Sequence, residues 1–151
     1  MVADPHGPNK LTDYIQIHET VMQRFLADGF VIRDGTGLFA YGAGLFLLDG
    51  LIECLGGILL EVRKVLRHMD GRGASMRVQT VLYSYNALLP GRGCILRYDS
   101  PHEHRPTHHV HRYDVLNGDK IGRIEPCAWP HLGDVVEELR TWYYDNFDKL
   151  Q

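Results

Sequence analysis

Five histidines lie within ten residues in the second half of the chain, inside the segment Arg97–His111, which reads RYDSPHEHRPTHHVH. Histidine titrates near neutral pH, so a pair of histidines can act as the general base and the general acid of one reaction. The arginine that opens the segment can hold a phosphate through two parallel hydrogen bonds. Cleavage of an RNA phosphodiester through its 2′-hydroxyl needs a base, an acid and a cation for the charged phosphorane. The segment supplies all three without a metal ion.

Two other uses of these histidines stay open. The spacing H-x-H-x3-H-H-x-H offers enough imidazoles for zinc or another divalent metal, with Asp99 or Glu103 as a carboxylate ligand. It matches none of the defined zinc signatures. The third use is structural, in which loop histidines bond to backbone and solvent. Clustering of five titratable groups favours chemistry, because such groups concentrate at functional sites.

Alternation along strands predicts which of these side chains share a face. Arg97 and Asp99 share one face of the strand that ends at Asp99. In the strand that follows the loop, His109 and His111 share one face and His108 lies on the other. We therefore expect His108 to be structural and the other four residues to face a substrate.

The expected roles follow from these positions. His109 or His111 is expected to be the general base, and Arg97 is expected to stabilise the phosphorane. Asp99 would orient a histidine or hold the loop. The general acid is expected from the proline-bounded loop between the two strands, where the candidates are His102 and His104.

Five more residues are predicted to contact the substrate. Lys64 interrupts the apolar face of an upstream strand-like run, which suits a substrate contact or a rim lysine. Tyr85 and Tyr98 would stack on bases, with core packing as the equal alternative. Arg105 and Arg112 are expected to be further cations for the phosphate.

The charge distribution agrees with an anionic ligand. The chain has a net charge of −3, but the window from Val62 to Arg112 holds nine Lys and Arg against three Asp and Glu. That window therefore carries +6, and the remainder of the chain carries −9. A basic centre in an acidic frame suits a phosphate backbone, and scattered solvated arginines are the alternative.

Periodicity predicts the elements that position these residues. Helical spacing predicts one helix over 11–26 and a second that opens at Trp129-Pro130. Short apolar runs separated by turns lie between them, and Asn117-Gly118 predicts a hairpin with Lys120–Ile124 as its return strand. We predict an α+β fold, a twisted antiparallel β-meander of about five to six strands flanked by an N-terminal and a C-terminal helix. Residues 1–151 would form a single domain, with residues 1–9 flexible.

Composition predicts a cytoplasmic protein. The three cysteines are far apart and form neither a disulfide framework nor a metal knuckle, which is typical of reduced thiols. No apolar run approaches the roughly 20 residues of a membrane span, and the N-terminus lacks the features of a secretory signal.

Four motifs, in this order, resemble the TumE-type toxin family of prokaryotic toxin–antitoxin systems: VLYSYNALL, ILRYDSPHEH, HHVHRYD and WPHLGDVVEEL. The match covers roughly Ile58 to Trp142. Ser100-Pro101 stands where the family usually has Asn-Ala, and Arg105-Pro106-Thr107 is inserted in the loop. The most specific part is Arg97-Tyr98-Asp99 with His102, His104, His109 and His111.

The resemblance implies a small cytoplasmic toxin that represses growth and is opposed by a cognate antitoxin, often a helix-turn-helix protein. By analogy with toxins of similar layout, the RelE- and barnase-like group, it implies a ribonuclease that acts on RNA. The alternatives are a His-cluster metal-binding protein, a non-catalytic inhibitor that binds RNA or a protein partner, and a non-toxic accessory protein. Assembly as a homodimer stays open.

Overall fold

The structure, a computed structural model, describes residues 6–118 and 122–150. Within these ranges it has two α-helices and nine β-strands. Helix α1 spans Leu11–Ala27 and helix α2 spans Leu132–Asp145. The strands are β1 (Asn9–Lys10), β2 (Val31–Asp34), β3 (Gly37–Ala40), β4 (Leu45–Cys54), β5 (Leu59–Asp70), β6 (Arg77–Leu89), β7 (Gly93–Asp99), β8 (His109–Arg112) and β9 (Arg123–Pro126). Short 3-10 turns lie at Leu55–Gly57, Gly73–Ser75, Val115–Asn117 and Phe147–Leu150.

All strands belong to one antiparallel sheet with the order β2-β4-β5-β6-β7-β8-β9, while β3 pairs with β4 and β1 pairs with β6. From β4 onward each strand lies next to its successor in the chain, which is a meander. The predicted α+β class is confirmed. The predicted number of five to six strands is wrong, because β1, β2 and β3 were not foreseen. These strands are only two to four residues long, too short to show a period of two.

The two faces of the sheet differ sharply. Both helices pack on one face, where the core joins Met22 and Phe25 of α1 and Val136 and Leu139 of α2 to the inward residues of the strands. Within the described ranges no helix lies on the other face, and side chains such as Arg63 are exposed there. Alternation along β5 produces this division, since neighbouring residues point to opposite faces. We call them the covered face and the open face.

Two element boundaries differ from the sequence expectation. Helix α2 begins at Leu132 rather than at Trp129-Pro130, because the Trp129 ring is stacked on His108 in an aromatic group at the sheet edge. The strand after the hairpin signal is Arg123–Pro126, later than the expected Lys120–Ile124. Residues 120 and 121 of that expectation lie outside the described residues.

The N-terminal expectation is also only partly within the structure. Residues 1–5 of the segment predicted to be flexible lie outside the described residues. Asn9, which belongs to the same segment, pairs with Val78 of β6 and is buried. The start of the chain is therefore tied to the sheet from Asn9 onward.

Candidate functional site

Strands β7 and β8 bring four of the sequence-predicted residues side by side. The register places Arg97 opposite His111 and Asp99 opposite His109. Because these positions alternate along each strand, all four side chains lie on the open face. We call Arg97, Asp99, His109 and His111 the open-face cluster.

Asp99 lies at the centre of this cluster. Its carboxylate accepts a hydrogen bond from Arg97 Nε at 3.0 Å. The Nε2 atoms of His111 and His109 lie 3.6 and 3.8 Å from Asp99 Oδ2. Its side chain is 14% exposed, so the carboxylate is held largely out of water but beside three nitrogen-bearing groups. The Arg97 guanidinium offsets part of the cost of burying its charge.

His109 is the most buried member of the cluster, with 2% of its surface exposed. Its Nδ1 lies 2.9 Å from the Thr107 carbonyl oxygen, which fixes the proton on Nδ1 as the donor. In the neutral form of the ring, Nε2 would then present a lone pair on the side of Asp99. This atom is buried and has no hydrogen-bond partner among the described residues. His109 thus has the tautomer and the orientation of a metal ligand, and too little exposure to meet a substrate.

His111 is more accessible, with 21% of its side chain exposed. Burial lowers its pKa, and the nearby Arg97 and Arg105 lower it further, against the opposing effect of Asp99. Its ring is stacked in parallel with Tyr113 at 6.4 Å. A neutral, oriented and reachable imidazole is suited to accept a proton.

The proline-bounded loop lies beside the cluster. The backbones of His102 and Arg105 bond to each other in both directions, at 2.9 and 3.0 Å, so the loop is a closed turn. The His102 ring contacts the His109 ring edge-on at 5.2 Å, and the His104 ring lies 6.4 Å from that of His102. Both loop histidines are exposed. Together with the open-face cluster they form a contiguous row of imidazoles.

A groove of about 490 Å³ extends from the cluster along the open face. Arg97 belongs to both the cluster and the groove lining, so the two are continuous. The charges of the groove are mixed, since Arg63 Nε lies 3.6 Å from Asp49 Oδ1. Its remaining walls come from β4, β5 and β6, at Gly50, Leu51, Glu61, Val62, Ser84 and Asn86.

Four of the five predicted substrate contacts do not lie on this face. Lys64, Tyr85 and Tyr98 are 5%, 0% and 8% exposed and point into the core under the helices. Tyr98 donates a hydrogen bond to Glu138 of α2 at 2.6 Å, and Arg112 is paired with the same carboxylate. These four residues hold the helices to the sheet, because each sits one position out of phase with the open face. Arg105, the fifth, is exposed on the loop.

The basic window of the sequence is not one patch in space. Arg77 pairs with Asp70 at 3.2 Å at the end of β5, far along the sheet from Arg97. Lys64 lies in the core, and Arg112 is neutralised from α2. His108 likewise does not lie on the open face. On the covered side, its Nδ1 accepts a hydrogen bond from Tyr83 Oη at 2.6 Å and its ring stacks on Trp129.

Sequence reasoning did not single out the groove residues or the Thr107 carbonyl. Ser84 and Asn86 alternate with Tyr83 and Tyr85, so the pattern of β6 could have placed them opposite the buried tyrosines. The Thr107 contact depends on the curl of the loop, which no residue pattern reports.

Comparison with known proteins provides no family for this chain: no family model, curated protein or solved structure matches it. Among the described residues, neither helix is long and apolar enough to cross a membrane.

Proposed function

We propose that this protein is the toxin of a toxin–antitoxin pair and cleaves RNA at the open-face cluster. The observation that supports this most is the pairing of β7 with β8. It places a guanidinium, a carboxylate and an accessible imidazole at the end of a surface groove. The imidazole and the guanidinium can serve as the base and the cation when the 2′-oxygen attacks the phosphate, and the adjacent loop histidines would supply the acid.

In the proposed reaction His111 takes the proton of the 2′-hydroxyl. Asp99 stabilises the imidazolium that forms, across the 3.6 Å between Oδ2 and Nε2. Arg97, half-exposed at the groove, stabilises the charge on the phosphorane. The leaving 5′-oxygen receives a proton from His102 or His104 of the loop. His109 lies behind Asp99 and takes no proton from the substrate, because its burial keeps it from the RNA.

The toxin assignment rests on the motif resemblance, since the fold alone supports many functions. The toxin assignment also implies a cognate antitoxin, often a helix-turn-helix protein, and action in the cytoplasm. Growth of cells that express the chain, with and without the neighbouring gene, tests this part. Growth that is normal without the neighbour would favour the non-toxic accessory protein.

The catalytic part is tested with a defined single-stranded RNA in the presence of EDTA. We expect products with 2′,3′-cyclic phosphate ends and no cleavage of a 2′-O-methyl substrate. His111→Ala and Arg97→Ala should each slow cleavage by about 10²-fold or more. His68→Ala is the matched control, because His68 is an exposed histidine at the far end of β5. Equal cleavage by wild type and His111→Ala would contradict the proposal.

A second candidate function is a metal centre at Asp99, His109 and His111, and a specific observation favours it. Each of these residues offers one ligand atom, and the three atoms lie within 4.8 Å of one another. Bonds of about 2.1 Å place the donors of a tetrahedral zinc site about 3.4 Å apart, close to the separations here. The buried lone pair of His109, with Nδ1 bound to a backbone carbonyl, is the usual arrangement of a ligating histidine.

The two candidates predict opposite results. As a metal ligand His111 is no longer free to act as the base, so EDTA should abolish activity and Zn²⁺ or Mn²⁺ should restore it. His109→Ala would then lose stoichiometric metal in elemental analysis, while His68→Ala would retain it. Activity that is unchanged by EDTA in metal-free protein would exclude the second candidate.

A further inference from the structure

A buried lysine and the start of a helix meet in a small cavity on the covered face. The cavity measures about 30 Å³ and lies between α1, β5 and the first turn of α2. Its walls are Tyr14, Ile17, His18, Val21, Lys64, Leu132 and Gly133. None of these residues belongs to the open-face cluster, which lies on the opposite side of the sheet.

Lys64 brings a positive charge to this cavity without a counter-charge. It is 5% exposed, and among the described residues it forms neither an ion pair nor a hydrogen bond to a side chain. Its Nζ lies over the ring of Tyr14, 4.9 Å from the centroid. A cation–π contact of this kind offsets only part of the cost of removing an ammonium from water.

Burial alone lowers the pKa of Lys64 to about 8. The ammonium form therefore still predominates at neutral pH. The groups that face the lysine from the packed elements are the phenols of Tyr14 and Tyr83 and the imidazole of His18. The Tyr83 hydroxyl is bonded to His108, and His18 Nε2 is bonded to Asp34 and Thr36.

The first turn of α2 adds a second positive feature. His131 provides no side-chain cap, and the first backbone bonds of the helix are donated by Asp134 and Val135 to the His131 carbonyl. The N–H groups of Leu132 and Gly133 accordingly have no acceptor within the described chain. Free N–H groups and the helix dipole make such a terminus attractive to an anion.

From the convergence of these two features we propose that the cavity binds one small inorganic anion, chloride in solution, between Lys64 and the N-terminus of α2. The volume decides the size of the ion. A cavity of about 30 Å³ matches a species the size of one water molecule or a halide better than the larger tetrahedral oxyanions. The anion would supply the missing counter-charge of Lys64 and the missing cap of α2, so it would join α1, β5 and α2.

Diffraction from crystals grown in sodium bromide tests the proposal directly. We expect an anomalous bromide peak in the cavity, within contact distance of Lys64 Nζ and the Leu132 or Gly133 N–H. Lys64→Met should lose this peak. Lys10→Met, the matched control at an exposed lysine, should keep it. Bromide peaks at surface sites alone would overturn the proposal.

A solution measurement covers the case in which a variant does not crystallise. At equal ionic strength, sodium chloride or bromide should raise the melting temperature of the wild type by about 2–5 °C relative to sodium gluconate. Sulfate and phosphate should not produce this specific gain. The difference between halide and gluconate should vanish in Lys64→Met and persist in Lys10→Met. An equal halide effect in Lys64→Met and wild type would overturn the proposal, whatever the outcome of the RNA cleavage assays.

Discussion

Two regions of this molecule hold charged groups away from water, on opposite faces of the same sheet, and they do so in opposite ways. On the open face, Asp99 is surrounded by Arg97 and two histidines at 3.0 to 3.8 Å. On the covered face, Lys64 has an aromatic ring for a neighbour and no carboxylate. In the first region, groups of the chain itself compensate the charge of Asp99. In the second region, no described residue forms an ion pair with Lys64.

This contrast in charge compensation indicates what each region is suited to do. A compensated cluster at the end of a groove can hold charges ready for a developing phosphorane at little cost to stability. An uncompensated ammonium in a core lowers stability unless something from solution neutralises it. Changing the two sites should therefore affect different measurements, and the following variants test that separation.

The largest effect is expected from Asp99→Asn. The amide keeps the shape of the side chain but removes the charge that stabilises a protonated His111 and holds Arg97. RNA cleavage should fall by about 10²-fold or more in single-turnover assays, with little change in urea unfolding. Asp70→Asn is the control, because Asp70 is also paired with an arginine but lies at the far end of β5. Equal losses in both variants would show that the effect is not local to the cluster.

The next effect is a gain in stability from Lys64→Met. Methionine fills a similar volume and removes the buried charge, so the free energy of unfolding should rise by about 1–3 kcal/mol at pH 7. Urea titration in gluconate buffer measures the change, so that no halide stabilises the wild type. Lys10→Met should stay within about 0.5 kcal/mol of the wild type. A loss of stability in Lys64→Met would mean that the ammonium is already compensated.

The pH dependence of stability is a second test of whether Lys64 is buried with its charge. The folded pKa of Lys64 is about 8 and its ordinary value is 10.5, so above pH 8 the unfolded chain binds more protons than the folded one. Stability therefore rises with pH in this window. From pH 7 to pH 9.5 the wild type should gain about 1–2 kcal/mol relative to Lys64→Met. Parallel urea titrations of both proteins measure this difference, in which shared tyrosine and histidine contributions cancel. A constant difference across the window would contradict the burial of a charged Lys64.

The sequence predicted the centre of the open face better than its surroundings. Alternation in RYD and HVH was enough to place Arg97 with Asp99 and His109 with His111. The register of β7 with β8, seen only in the structure, brings the two pairs onto one face. The sequence could not tell His109 from His111. Their difference in exposure comes from the Thr107 turn and from neighbouring strands, which are tertiary contacts.

The covered face shows why the other predictions failed. Lys64 and Arg112 are polar types that usually lie outside, so the sequence favoured a surface role for them. The position of Lys64 within its strand puts it among core residues instead. Arg112 is partly exposed, and α2 brings Glu138 to it from 26 residues away. Short edge strands such as β2 and β3 were missed because their pairing with β4 creates them. Charge counted along the chain likewise did not predict charge in space.

The smallest effect is expected from Arg63→Ala in the groove. Its exposed pair with Asp49 contributes little to folding, so stability should change by less than about 0.5 kcal/mol. If RNA follows the groove from Arg97, loss of this cation should weaken RNA binding by about two- to fivefold and reduce its salt dependence. Fluorescence anisotropy at several salt concentrations measures both. Arg77→Ala, which removes an arginine that is also paired with an aspartate but lies outside the groove, should bind as the wild type does. If both variants lose affinity equally, RNA is held by general charge attraction and the groove has no part in selecting its path.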